Sequence, residues 1–188
     1  SVASLGLEKG TYDKVIDAYV VNAAGEKVAV EGEVISLLNK LADNYAEGKY
    51  VVFENKESGE VVVPVTGKGL WDDIWGYVAL GADMNTIKGA IFDHAGETPG
   101  LGAEIATPKY QAQFPGLTIY EGEELVGIYV VKGGAKGAAH SVDAVTGGTK
   151  TSIGLENMIK DCLQCYDAFF KARTAAANEE VVETVNAE

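Results

Sequence analysis

The chain has 188 residues, 47% of them hydrophobic, and a formal net charge of −13 at pH 7. That length and apolar content suffice to bury one sizeable core, so a single domain is expected. The charge leaves no basic stripe for nucleic-acid phosphates and makes anionic membrane surfaces repulsive, so no nucleic-acid partner is expected.

Val15 to Val21 reads as a strand that turns at Asn22 to Gly25, and Val34 to Tyr45 shows helical spacing with Ile35, Leu38 and Leu41 on one face. Lys49 to Glu54 and Glu60 to Val65 are strands flanking the hairpin signal Lys56-Glu57-Ser58-Gly59. Asp72 to Leu80 and Thr86 to Phe92 form a second pair around Gly81-Ala82-Asp83. Pro108 to Phe114 is a short helix, Leu117 to Tyr120 and Leu125 to Val131 make a further hairpin, and Thr151 to Lys171 is a long final helix. The fold class is therefore α+β, with antiparallel hairpins in place of a doubly wound nucleotide fold. Residues 1–172 are expected to form the domain, and 173–188 a flexible tail, since Thr174 to Glu188 carries four glutamates and no basic residue.

Several features carry ordinary readings. Cys162-x-x-Cys165 falls inside the final helix, away from the helix N-terminus that lowers a redox thiol's pKa, and reads as two small apolar residues. The two histidines, His94 and His140, stand far from each other and from the cysteines, so no metal site is expected. Lys132-Gly133-Gly134-Ala135-Lys136-Gly137 lacks the Gly-Lys-(Ser/Thr) ending of a P-loop and reads as a mobile connection. No run approaches the roughly eighteen apolar residues of a membrane-spanning helix, and Ser1 opens no charged-then-apolar leader, so the chain as it stands is expected to be soluble.

Two stretches point to chemistry. Asp143-Ala144-Val145-Thr146-Gly147-Gly148-Thr149-Lys150-Thr151-Ser152 is a hydroxyl- and glycine-rich turn set directly before the longest helical pattern. Two glycines allow positive φ and close approach to an anion, and the amides that follow belong to a helix N-terminus whose dipole favours negative charge. A phosphate site follows, with an ordinary N-cap as the alternative. The second stretch, Gly96-Glu97-Thr98-Pro99-Gly100-Leu101-Gly102, fits neither helix interior nor central strand. It is a tight turn against which a flat aromatic ligand could lie, and Gly69-Leu70-Trp71 offers an indole that could stack on such a ring.

Together these segments resemble the covalent FMN-binding domain family over roughly Val61 to Phe170. The first resembles Asp-x-x-(Ser/Thr)-Gly-Ala-Thr-x-(Thr/Ser), in which the last threonine of the Ser-Gly-Ala-Thr core is esterified to the FMN phosphate; that threonine is Thr149 here, and Gly148 stands where the family has alanine. Gly-Glu-Thr-Pro-Gly-Leu-Gly is shared by the sister flavin subunits of the sodium-translocating NADH:quinone reductase and the Rnf complex. Val130-Val131-Lys132-Gly133-Gly134 leading into His140-Ser141-Val142-Asp143 is similar to the sodium-translocating branch of the two.

The resemblance implies a one-electron carrier subunit, incomplete as an enzyme alone, with covalent FMN. It implies Asp143, Thr146, Gly147, Gly148, Lys150 and Thr151 around the Thr149 phosphate, Gly69, Leu70, Trp71, Glu97, Thr98 and Leu101 at the ring, and Lys132 nearby. Implied partners are the other subunits of the membrane reductase and a flavin transferase that uses FAD and magnesium. The implied location is the inner membrane, with a single N-terminal anchor absent from this sequence and the domain facing the periplasm. The sister flavin subunit of the Rnf complex, and a noncovalent module whose turn merely grips a phosphate or flavin, remain alternatives.

Overall fold

A computed structural model describes residues 15–186. Its strands are β1 (Ile16–Val21), β2 (Lys27–Val28), β3 (Tyr50–Asn55), β4 (Val61–Lys68), β5 (Asp73–Leu80), β6 (Ile87–His94), β7 (Tyr120–Glu121), β8 (Glu124–Leu125), β9 (Tyr129–Val131) and β10 (Ser141–Asp143). Its helices are α1 (Leu41–Ala46), α2 (Pro108–Gln111), α3 (Thr149–Cys165) and α4 (Asp167–Asn186). The first six strands form one antiparallel sheet in the order β2-β1-β3-β4-β5-β6. The expected α+β architecture is what is found.

Both faces of the sheet centre are covered, which explains why Val51–Val52–Phe53 and Val61–Val62–Val63 are apolar at every position instead of alternating. On one face Val52, Val61, Val63 and Val65 join Ile74, Val78 and Leu80 in the main core; on the other, Val51, Phe53 and Val62 are covered by Val34, Leu37 and Leu38. The apolar stripe of α3, namely Leu155, Met158, Ile159, Cys162 and Leu163, belongs to the main core. Its spacing of three and four residues is that of one helix face, and each large aliphatic side chain buried there contributes about 1.5–3 kcal/mol. The approach of α3 to β4 is close: a methyl group on Gly67 would stand 2.8 Å from Met158 Cβ.

Three local expectations need correction. The segment expected as one helix over Val34 to Tyr45 is a 3-10 helix, Val34–Lys40, running into α1. Its three-residue period turns Val34 and Leu37 toward the sheet and leaves Ile35 exposed, so Ile35 is not on the buried face. The expected hairpin of Leu117–Tyr120 with Leu125–Val131 shortens to β7–β8, while β9 pairs in parallel with β10. Positive φ at Gly133, Gly134, Lys136 and Gly137 bends the intervening chain back far enough for β10 to run alongside β9 in the same direction. The long final helix breaks at Tyr166, whose ring is fully buried; its hydroxyl donates to the Val51 carbonyl at 2.7 Å and accepts from Tyr45 at 3.2 Å. Beyond the break, the acidic tail is helical through Asn186, with Val181, Val182 and Val185 exposed.

The two cysteines sit on α3 as the helical spacing predicts. Cys162 is buried and its thiol donates to the Thr66 carbonyl at 3.3 Å; burial pushes its pKa up to about 11, and burial raises that of Cys165 as well. At about pH 8, where an ordinary thiol is partly ionised, folded protein is expected to resist iodoacetamide at both positions and to react fully once denatured. Rapid stoichiometric labelling of Cys162 in folded protein would contradict this placement.

Candidate functional site

The segment between β10 and α3 is a tight turn. Gly148 N–H donates to the Val145 carbonyl at 3.1 Å, and Gly147 takes φ +74°, the left-handed region that glycine enters without strain. A side chain at Gly147 would also stand 2.6 Å from Leu101 Cδ2, and a methyl group on Gly148 would stand 3.0 Å from Val145 Cγ1 and 3.3 Å from Gly102 N. The two glycines are thus where this turn lies against Leu101–Gly102. At Gly148, alanine would need its neighbours to give by a few tenths of an ångström.

Of the hydroxyls crowded into this region, the structure turns two inward. Thr151 is fully buried and donates to the Glu97 carboxylate; Ser152 is buried and its Oγ accepts from Val145 N–H at 3.0 Å. Thr146 and Thr149 are exposed and Ser141 is half-buried. Thr149 opens α3, and the amides of Thr149, Lys150 and Thr151 precede the first helical hydrogen bond, Ser152 N–H to Gly148 O at 2.9 Å. An exposed hydroxyl therefore stands beside amides free to meet an anion.

Glu97 is 4% exposed and lies beneath this surface. Its carboxylate accepts from Thr151 Oγ1 and from Trp71 N–H at 3.0 Å, and its own amide donates to His94 Nδ1 at 3.1 Å. Burial acts to raise its pKa, but the Thr151 hydroxyl and the amides of Trp71, Leu70 and Asp72 outweigh that and hold it below the ordinary carboxylate value. Gly69 and Gly102 close directly on the carboxylate, and a side chain at either would overlap it. The resemblance puts Glu97 and Thr151 among the residues facing the cofactor; the structure turns them toward each other under the site.

Above Glu97, the segment Gly69–Trp71, the loop through Thr98 and Leu101, and the Thr146–Thr149 turn meet. Leu70 and Leu101 are exposed, and Trp71 is 69% exposed, an unusual state for an indole. Thr98 is exposed and its carbonyl accepts from Leu101 N–H and Ala103 N–H, both at 3.1 Å, which fixes the loop. Ile153, exposed on the first turns of α3, is a further large apolar side chain near the start of that helix and is absent from the sequence-based set of site residues. The signal for it is the adjacent Gly154, a glycine inside a helix: there α3 passes so close to β4 that a side chain would overlap the Lys68 carbonyl.

Asp143 and Lys132 lie to one side. The Asp143 carbonyl accepts from Tyr110 Oη at 2.8 Å, its amide donates to Gln113 Oε1 at 2.9 Å, and its carboxylate accepts from Ala135 N–H at 2.6 Å. It thereby tethers the glycine-rich connection 132–137. Asp143 and Thr146 share the wall of a hollow of about 450 Å3 with Lys109, Tyr110 and Glu104. Lys132 and Lys150 are exposed and enter no ion pair among the described residues.

A hydroxyl on a helix N-terminus beside exposed apolar surface fits a flavin mononucleotide, which has a phosphate at one end and a flat ring at the other. Comparisons with known proteins agree. Residues 69–164 match the FMN-binding domain family. The C subunit of the Na(+)-translocating NADH-quinone reductase of Pasteurella multocida is 40% identical over 143 residues, covering 76% of this chain and 55% of that protein. The corresponding protein of Vibrio anguillarum is 42% identical over 109 residues, covering 57% of this chain and 43% of that protein. The chain thus spans about half the length of these relatives. The crystal structure of the corresponding protein from Parabacteroides distasonis superimposes with a TM-score of 0.79 at 35% identity, covering 89% of this chain and 87% of that one. Shewanella oneidensis NqrC superimposes at 0.76 with 27% identity, covering 93% and 94%. The chain belongs to the FMN-binding domain family, in the NqrC branch found in the Na(+)-translocating NADH-quinone reductases.

Proposed function

We propose that this chain is the FMN-carrying electron-transfer subunit of a sodium-translocating NADH:quinone reductase and holds its FMN covalently, as a phosphoester on Thr149. The observation that carries the reading is the sorting of hydroxyls: Thr151 and Ser152 are buried and engaged, whereas Thr149 is exposed at the start of α3. Thr146 is exposed too, but it precedes the glycine pair, while Thr149 is the first residue of the helix. A phosphodiester on Thr149 keeps one negative charge at the helix N-terminus, where the dipole contributes roughly 0.3–1 kcal/mol. That is too little to choose the site, so selection falls to a flavin transferase reading the exposed turn, with Asp143, Thr146 and Gly147 as its recognition residues.

When bound, FMN supplies one-electron chemistry, and the protein's part is to hold and orient it. Leu70, Trp71 and Leu101 offer the apolar surface for the ring, Thr98 a hydroxyl at its edge, and Lys132 and Lys150 positive charge near the phosphate. A threonine hydroxyl is a poor nucleophile, so its oxygen gains the FMN phosphoryl group only on an enzyme, from FAD with magnesium; the hydroxyl proton is lost and AMP leaves. The partners are the remaining subunits of the membrane complex. The domain faces the periplasm from an anchor preceding this sequence, a side of the membrane where a lost cofactor is not readily replaced and covalent attachment solves retention. Among the described residues no helix is long and apolar enough to cross a membrane.

Peptide mass spectrometry of protein co-expressed with a flavin transferase tests the reading. The expected result is a mass increment of FMN minus water on the peptide's Thr149. The increment on another hydroxyl sinks the residue assignment, and flavin fluorescence that washes away on denaturation supports the noncovalent module instead.

A further inference from the structure

We propose that Glu97 is the positioning residue of this site: its buried carboxylate ties the Gly69–Asp72 turn to the first turn of α3 and so sets the spacing between the Thr149 hydroxyl and the Leu70–Trp71 surface. Its functional consequence rests on the reading of Thr149 as the flavin-bearing residue; its structural content does not.

Three observations carry it. First, Glu97 joins parts of the chain that nothing local would bring together, lying 26 residues from Trp71 and 54 from Thr151. Second, its carboxylate is buried yet enters no ion pair among the described residues. A buried carboxylate is costly unless it is hydrogen-bonded, and here it accepts from the Thr151 hydroxyl on α3 and from the Trp71 amide on the turn. Within the turn itself, the Gly69 amide donates to the Asp72 carbonyl at 2.8 Å, and the Trp71 amide at 3.0 Å is the one that meets the carboxylate. Third, the packing permits no slack, because a side chain at Gly69 or at Gly102 would overlap the Glu97 carboxylate. The two turns that would hold the ring and the phosphate are both closed onto one group.

The acceptor character of the carboxylate is what matters. Glutamine has the same shape but presents an NH2 group toward one side, where it meets either the Thr151 hydroxyl or the amide N–H groups of the turn. Glu97→Gln should therefore fold but loosen one of the two links. Thr151→Val removes the link to α3 at nearly constant volume, and Thr151→Ser keeps it.

The experiment uses the full chain. Hydrogen exchange at the amides of residues 70–72 and the emission of Trp71 are measured on flavin-free protein; the rate of FMN transfer is measured with flavin transferase, FAD and magnesium. Glu97→Gln and Thr151→Val are each expected to speed exchange at residues 70–72 by about tenfold or more. Both should also slow transfer by about tenfold, since displacing a reacting group by even a fraction of an ångström is costly. Thr151→Ser should restore wild-type values, and the Glu97→Gln/Thr151→Val double variant should be no worse than the more severe single one, because losing either link already unties the turn from α3. Folded Glu97→Gln with wild-type exchange, emission and transfer would overturn the proposal. If Glu97→Gln does not fold, the contrast between Thr151→Val and Thr151→Ser decides. Wild-type protein that the transferase cannot load would defeat the reading of Thr149, while the exchange and emission data would still judge Glu97.

Discussion

Thr149→Val is expected to give a folded protein that carries no covalent FMN after co-expression with a flavin transferase. Valine keeps the shape of threonine and removes only the oxygen that would bond to phosphorus. Because Thr149 is exposed, the change should alter stability by no more than about 0.5 kcal/mol. Loading should fall to background, since Thr151 and Ser152 are buried and committed to Glu97 and to the Val145 amide, and Thr146 precedes the glycine pair and stands off the helix N-terminus. The flavin band on a denaturing gel reads loading, and thermal unfolding reads the fold. A fluorescent band of wild-type intensity from Thr149→Val would transfer the attachment to Thr146, the other exposed hydroxyl of the turn.

Gly154→Ala is expected to destabilise the protein, although helix propensity alone says the reverse. Alanine inside a helix is favoured over glycine by about 0.8–1.0 kcal/mol. At this position, however, the added methyl group would overlap the Lys68 backbone carbonyl and come within 3.4 Å of Gly69 Cα. Backbone cannot rotate away as a side chain can, so α3 must shift off β4, and overpacking of this kind typically costs about 1–3 kcal/mol. Because the overlap is with backbone, the cost sits at the upper end of that range and outweighs the propensity, giving a net loss of about 2 kcal/mol and a lower melting temperature, by about 2–4 °C per kcal/mol for a chain of this size. The same shift would displace the Gly69–Trp71 segment, so loading should fall as well. A variant that melts higher than the parent would show that α3 does not pack where the structure puts it.

The sheet is legible where the chain signals turns and strands together. β3 through β6 appear in the sequence as β-branched and aromatic runs around Lys56–Gly59 and Gly81–Asp83, and the hairpins found there are the hairpins expected. β9 with β10 is illegible because parallel pairing depends on how a glycine-rich connection bends, and φ values at Gly133, Gly134, Lys136 and Gly137 are set by tertiary contacts that composition does not record. The break at Tyr166 is hidden for a related reason. An aromatic residue continues a helical pattern without conflict, and only the acceptor on Val51, 115 residues away, makes a break favourable.

The site is legible in its backbone and less so in its side chains. Glycine density marks both turns, and the structure closes the two on each other through Gly147 and Gly148. The direction of Glu97 carries no such mark. A glutamate in a loop defaults to solvent, and its burial follows from donors at Trp71 and Thr151 that no local pattern connects to it. The apolar surface at Ile153 is similarly unannounced, because one exposed aliphatic on a helix is ordinary until its neighbours are known.

In an unfolded chain the hydroxyls of Ser141, Thr146, Thr149, Thr151 and Ser152 are chemically near-equivalent and sit within a dozen residues of one another. They become distinguishable only after Glu97 has claimed Thr151 and the Val145 amide has claimed Ser152. A modifying enzyme that discriminates by access then finds the choice narrowed to the exposed Thr146 and Thr149 on finished protein, and only the latter on a helix N-terminus, with no such distinction on a nascent or damaged one. Covalent flavin would in that case be a certificate of folding: the colour of the product would report, molecule by molecule, which chains had brought residues 97 and 151 together.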